Sequence, residues 1–237
     1  SRMFEFVYRM FALGDVALPA RGMGAIGEQL AGGLPPDRVR LGRRVTAVGD
    51  GGVTLADGER LPARAVVVAT DGPTAAELLG GEPAAPGSVA ARCLYFAADR
   101  APVDEPVIVL DGDGEGPVNN LCVPSSVAPG YAPPGAALVS AAVLDRPGLP
   151  RGPDLEAAVL GQLADWFGSG VVAWRHLKTY HIPHAQPAQP PGTLDPPERP
   201  VRLRPGRYVC GDHRDNASIN GALASGRRAA DAVLEDL

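Results

Sequence analysis

Lysine is almost missing from these 237 residues: Lys178 is the only one, against 22 basic residues in all. Arginine carries nearly all the positive charge, and together with 30 glycines and 25 prolines this bias reads as that of a GC-rich genome rather than a phosphate-binding device. A net charge of −5 supplies no basic surface, which excludes a nucleic-acid partner. Cysteine is scarce too. Cys93, Cys122 and Cys210 are odd in number, far apart and without a Cys-x-x-Cys pair, so neither a disulfide framework nor a zinc site is expected. They read as small buried hydrophobes in a reducing compartment. No apolar run approaches the roughly 18–20 residues of a membrane-spanning helix, and the longest candidate, Ala136–Leu144, reads as a strand. A cytoplasmic place is expected, with peripheral attachment to a membrane as the variant. No Gly-x-Ser-x-Gly exists, and Ser225 falls inside a helical pattern, which leaves a hydrolase reading without a nucleophile elbow. The chain opens at Ser1 without an initiator Met or a signal-peptide pattern, and it reads as an excised piece.

What is present changes period along the chain. Met3–Leu13 is apolar and aromatic, a helix stopped by Gly14. Pro19–Gly24 is a turn, and Met23, Ile26 and Leu30 then fall on one helical face. From Val39 the period is two: strands are expected at 39–41, 44–48 and 53–55, with Asp57-Gly58 as a hairpin signal. Ala65–Thr70 is a continuous β-branched run, the mark of a strand covered on both faces. Strands at 89–97, 107–110, 119–123 and 136–144, separated by Pro-, Gly- and Asp-rich loops, suggest a mixed antiparallel sheet, and 154–167 a helix. Pro183–Pro205 is too rich in proline for a helix interior and reads as an extended connector.

The last 31 residues hold the chemistry. Arg207–Gly211 is a strand ending in glycine, Asp212–Ala217 a polar loop, and Ser218–Leu237 a helix whose first half is crowded with small residues. A helix N-terminus presents unpaired backbone N–H groups and about half a positive charge. Small residues at Gly221 and Ala222 let a flat or anionic ligand approach the backbone. Asp212, at the carboxyl end of a buried strand, can accept hydrogen bonds from sugar or polyol hydroxyls.

Tyr208-Val-Cys-Gly-Asp212, Ser218-Ile-Asn-Gly-Ala222 and Ser225-Gly-Arg-Arg-Ala-Ala230 together are similar to the C-terminal flavin motif of the FAD-dependent amine oxidase superfamily, which includes phytoene desaturases and protoporphyrinogen oxidases. Pro19-Ala-Arg-Gly-Met23 resembles a Pro-x-Gly-Gly-Met segment of that family, with Arg21 in place of the first glycine. The resemblance implies a fold of the α/β class: part of an FAD-binding domain, Rossmann-like and of the glutathione-reductase type, at 1–75 and 203–237, and a mixed-sheet α+β substrate domain at 76–202. It implies that Gly211 and Asp212 meet the ribityl or pyrophosphate portion of FAD, and that the helix start at Ser218, Ile219, Asn220, Gly221 and Ala222 faces the flavin. Val45 would touch the adenine. Trp174 and Tyr180, in a passage similar to one that re-enters the family's substrate cavity, would line that cavity, and His213 would lie near the flavin and the substrate. Lys178 does not match the lysine that some amine oxidases place near the flavin.

The family's opening Gly-x-Gly-x-x-Gly holds the pyrophosphate, and no such motif follows a strand here. Arg21-Gly-Met-Gly24 comes closest but follows a Pro turn. The expectation is therefore a C-terminal piece whose N-terminal half is missing and which binds FAD weakly or not at all by itself. The whole protein would take hydride from a C–N or C–C bond of a small or apolar molecule, through no side-chain catalyst that can be named. Alternatives are a degenerate, non-catalytic module and a redox-neutral flavin isomerase. Amine and polyene substrates both stay open, and a homo-oligomer is compatible with the pattern. His176, His181 and His184 flank Pro183 without a nearby carboxylate in sequence, so no metal is expected.

Overall fold

The computed structural model describes residues 2–82 and 87–237; the side chains of Arg2, Met3 and Phe6 lie outside the description. Helices α1 (Arg2–Leu13) and α2 (Gly24–Gly32) precede strands β1 (Val45–Gly49), β2 (Gly52–Leu55), β3 (Arg60–Pro62) and β4 (Val66–Val68), followed by α3 (Gly72–Leu78). Strands β5 (Ser88–Ala98), β6 (Ile108–Leu110) and β7 (Val118–Cys122) follow, then α4 (Pro124–Val127), β8 (Ala137–Leu144), α5 (Pro153–Phe167) and β9 (Arg175–Pro187). The chain closes with β10 (Arg202–Arg204), β11 (Arg207–Val209) and α6 (Ile219–Asp236). It is an α/β protein whose residues divide into two compact units, one of Ser1–Tyr8, Arg40–Val89 and Pro183–Leu237, the other of Arg9–Val39 and Ala90–Ile182.

In the first unit, β1, β2 and β3 form an antiparallel sheet. A Cβ at Gly52 would lie 2.1 Å from the Leu61 carbonyl oxygen, so only glycine lets β3 approach at that point. A second sheet has the order β10-β11-β4, with β11 and β4 parallel. Val68 and Val209 are buried with Ala75 and Leu79 of the α3 region. The sequence predicts a strand covered on both faces at 65–70, yet Val67 is 39% exposed and β4 is an edge strand among the described residues. Helix α6 buries Gly221, Ser225 and Ala229, four residues apart on a single face.

The second unit is built on a sheet of order β6-β7-β8-β5-β9. β5 and β8 pair antiparallel from Ala91↔Leu144 to Ala98↔Ala137, and their alternating inward residues, Leu94, Phe96, Val139, Ala141 and Val143, are wholly buried. α5 covers that face with Leu155, Val159 and Leu163, the helical spacing of its apolar residues matching the pleat beneath. Two expectations fail. Residues 39–41 are not a strand, and Pro183 is not in a connector but inside β9, whose place at the sheet edge tolerates a residue without an N–H.

Candidate functional site

The site grows from the carboxyl end of β11. Gly211 has φ +144°, and a Cβ there would meet the His213 imidazole at 2.6 Å, so the chain can turn the corner only as glycine. Ser225, one helical face away, fixes this corner: the Gly211 N–H donates to its Oγ at 2.9 Å, and that hydroxyl lies 2.8 Å from the Gly211 carbonyl. Residues 212–217 then fold back over the start of α6, close enough that a Cβ at Gly221 would lie 2.0 Å from the Asn216 carbonyl oxygen. Ser218 caps the helix, its Oγ accepting from the Gly221 N–H at 3.0 Å. Ile219 and Asn220 are exposed in the first turn, where helix geometry leaves backbone N–H groups without intrahelical acceptors. Ala222 is half-buried directly behind them.

Asp212 is half-buried and borders a cavity of about 50 Å³ that also touches Asp71, Ser88 and His184. Burial pushes the Asp212 carboxyl above its ordinary value, against hydrogen bonds from the His213 amide and its own, and the charge of Asp71 adds to the rise. For Asp71, burial also pushes upward, but the N–H and hydroxyl of Thr74, at 3.0 and 2.8 Å, and the nearby His184 leave it below its ordinary value. His213 is 5% exposed, and among the described residues neither ring nitrogen has a hydrogen-bond partner. Burial, with the charges of Arg214 and Arg199 and against that of Asp71, lowers its pKa to about 4, so the ring is neutral near pH 7.

The other sequence-singled residues are distributed differently. Val45, in the same unit, is half-buried at the start of β1, opposite Leu55. Trp174 packs against Phe96 and Phe167 at the margin of the second unit's core, and the two rings of residues 167 and 174 also line an open cavity of about 590 Å³ with Asp99, Arg100 and Asp104. Tyr180 is 46% exposed on β9, edge-on to Tyr95, with the Lys178 ammonium 4.9 Å from its ring centre. The three histidines go to three separate partners: His176 to Glu156 at 3.1 Å, His181 to Asp145 at 3.3 Å and His184 to Ser88 at 2.6 Å. Among the described residues no group of three or more His, Cys, Asp or Glu can hold a metal ion. Nor is any helix among them long and apolar enough to cross a membrane.

Sequence reasoning missed Asp71 and Ser88 as members of this region, and placed Ser225 in the motif without its bond to Gly211. Asp71 carried a signal, because Asp-Gly-Pro-Thr is a helix-capping pattern; Ser88 is 96 residues from its partner and carried none.

The profile of the flavin-containing amine oxidoreductases matches residues 1–234. The chain belongs to that family. Among solved structures, this chain is similar to reduced UDP-galactopyranose mutase, at 16% identity and a TM-score of 0.74, over 92% of this chain and 53% of that one. A proposed protoporphyrinogen oxidase from Exiguobacterium sp. 255-15 gives 19% identity and a TM-score of 0.70, over 91% and 52%. Cyclohexylamine oxidase from Brevibacterium oxydans IH-35A gives 16% and 0.63, over 90% and 52%. At these identities the likeness is one of fold. The chain spans about half the length of the solved structures it matches. A search of curated proteins by sequence gives no match.

The flavin that the family name carries can be tested against the residues present. A polar, partly desolvated carboxylate at a strand end, exposed amides in a helix first turn and an imidazole buried without a partner all suit a ligand rich in hydroxyls and ring nitrogens. The residues fit.

Proposed function

We propose that this chain is the C-terminal half of a longer FAD-dependent oxidoreductase, which removes hydride from a C–N or C–C bond of a small or apolar organic substrate. The single observation that carries the reading is the α6 start, where Asp212 and the exposed first turn sit together on a loop clasped by Ser225. FAD, when bound, supplies the electron-accepting chemistry. Asp212 would hold its ribityl or pyrophosphate portion, and the amides of Ile219 and Asn220 the edge of its ring, where a positive helix end favours negative charge. Val45 would meet the adenine. His213 would stay a neutral, water-free hydrogen-bonding group beside the cofactor. Tyr180 would face substrate, while Trp174 serves mainly the core.

The half-protein reading is supported by surface that a lone domain would cover. β4 leaves Val67 39% exposed on a β-branched strand, and α1 exposes Phe4, Tyr8, Phe11 and Leu13 at 60–77%. By itself the chain should hold FAD weakly. Its free cysteines suit a reducing, cytoplasmic place.

The experiment is to purify the full-length protein, record its flavin spectrum, and mix it without oxygen with amines and with polyenes. Bleaching of the flavin, and a product two hydrogens lighter than the substrate, is the expected result. A colourless protein that FAD does not restore would leave only a degenerate binding module, and a product of unchanged mass an isomerase.

A further inference from the structure

The family motif accounts for Asp212 and the α6 start but not for what faces that carboxylate. The polar walls of the small cavity beside it are Asp71, Ser88, His184, Gln186 and Asp212, and among the described residues no lysine or arginine lines it. Three segments far apart in sequence converge there: the cap of α3, the first residue of β5 and the end of β9.

The chemistry of these walls selects among ligands. A phosphate would meet two carboxylates with neither a lysine nor an arginine to offset them, and like charges at close range repel strongly in a partly desolvated site. A neutral hydroxyl meets complementary groups. The Asp71 carboxylate is held rigidly by its two bonds from Thr74, and each of its oxygens keeps a further lone pair. Ser88 Oγ and His184 Nδ1 lie 2.6 Å apart. Whichever of them donates, the pair is left with one free hydrogen and one free acceptor: either the Nε2–H with the serine oxygen, or the serine O–H with Nε2. Such a pair adapts to a hydroxyl in either orientation. The volume, about 50 Å³, has room for roughly one or two hydroxyl groups and not for a ring.

We infer that Ser88 and His184, with Asp71, complete the polyol end of the flavin site, taking hydroxyls of the ribityl chain whose other contact is Asp212. The inference rests on the FAD reading above and goes beyond it in two respects. It decides between the two portions of the cofactor that Asp212 could serve, in favour of the ribityl chain, and it places the pyrophosphate outside this cavity. It also gives Asp71 two duties, since the residue that starts α3 is the same one that orients the ligand.

The test is a fluorescence titration of the full-length apoprotein with FAD and with FAD analogues that each lack one ribityl hydroxyl. The proteins compared are the parent, Ser88→Ala, His184→Ala, Asp71→Asn (which keeps a competent helix cap) and Asp212→Ala. Each of the first three variants is expected to raise the Kd for FAD on the order of tenfold. That loss should vanish for the analogue whose missing hydroxyl was the partner. Equal loss for FAD and every analogue, as a damaged fold would give, contradicts the inference. So do variants that bind FAD within twofold of the parent while Asp212→Ala is weakened, and in that case the FAD reading stands. A parent that binds no FAD removes both.

Discussion

Ser225 and Gly211, fourteen residues apart, form a two-point clasp: the Gly211 N–H donates to the serine Oγ at 2.9 Å, and the same hydroxyl reaches the Gly211 carbonyl at 2.8 Å. The clasp ties the strand end that carries Asp212 to the helix whose first turn is the other half of the site. Ser225 is wholly buried, and because the Gly211 carbonyl also accepts from the Arg214 N–H at 3.0 Å, the Gly211 N–H is the group that depends most on the clasp.

Ser225→Ala is therefore expected to destabilise the fold by about 1–2 kcal/mol, the cost of leaving the Gly211 N–H without its acceptor. It should also weaken FAD binding by the full-length protein although the Ser225 side chain is wholly buried. Urea unfolding and an FAD titration check the pair; unchanged stability would mean that the loop is held by other contacts.

Two glycines of α6 should respond in opposite directions. Gly221→Ala drives a Cβ to 2.0 Å from the Asn216 carbonyl oxygen, a backbone atom that can move only with the whole loop, and should cost about 3 kcal/mol along with FAD affinity. Gly226→Ala meets nothing within 4 Å and should stabilise by up to about 1 kcal/mol through helix propensity alone. Thermal unfolding of both variants is the measurement, and a neutral Gly221→Ala would contradict the close approach of the loop.

His213 should make the fold acid-labile. Its folded pKa of about 4 lies below the ordinary 6.5, so the unfolded chain takes up a proton on acidification that the folded ring refuses. Stability from this group is fully present above pH 6.5 and falls progressively as pH drops toward 4, by roughly 3 kcal/mol in all. His213→Phe should flatten that part of the stability profile and, because the ring nitrogens have no partners to lose, cost little at pH 7. A profile with the same slope in the variant would assign the acid lability to carboxylates instead.

Much of this was legible from residue patterns, and the exceptions have causes. β5, β8, α5 and α6 follow strict apolar periods, and the Gly-Asp corner announces itself because only glycine can stand beside the His213 ring. β9 was illegible as a strand: thirteen residues with Lys178, three histidines and two prolines show no alternation, and only pairing at a sheet edge makes them extended. β3 is three residues with a proline at its end, held by the tight approach at Gly52. The charges that act on the buried His213 ring, from Arg214, Arg199 and Asp71, come from separate stretches of the chain, and no local pattern contains them.

Acid should also reach the cofactor. The Asp212 carboxyl lies above its ordinary value, so its charged, hydrogen-bond-accepting form is lost earlier on acidification than an ordinary carboxylate's. FAD affinity of the full-length protein is expected to fall as pH drops through that raised value. In Asp212→Asn the affinity should be lower at neutral pH and lack this part of the fall. An identical pH profile in the two proteins would remove Asp212 from the ligand.

The most direct measurement is a crystal structure of the full-length protein with FAD. The account predicts a ribityl hydroxyl within hydrogen-bond distance of the Asp212 carboxylate and the flavin ring edge at the amides of Ile219 and Asn220. A flavin bound elsewhere, with the first turn of α6 facing bulk water, would contradict it.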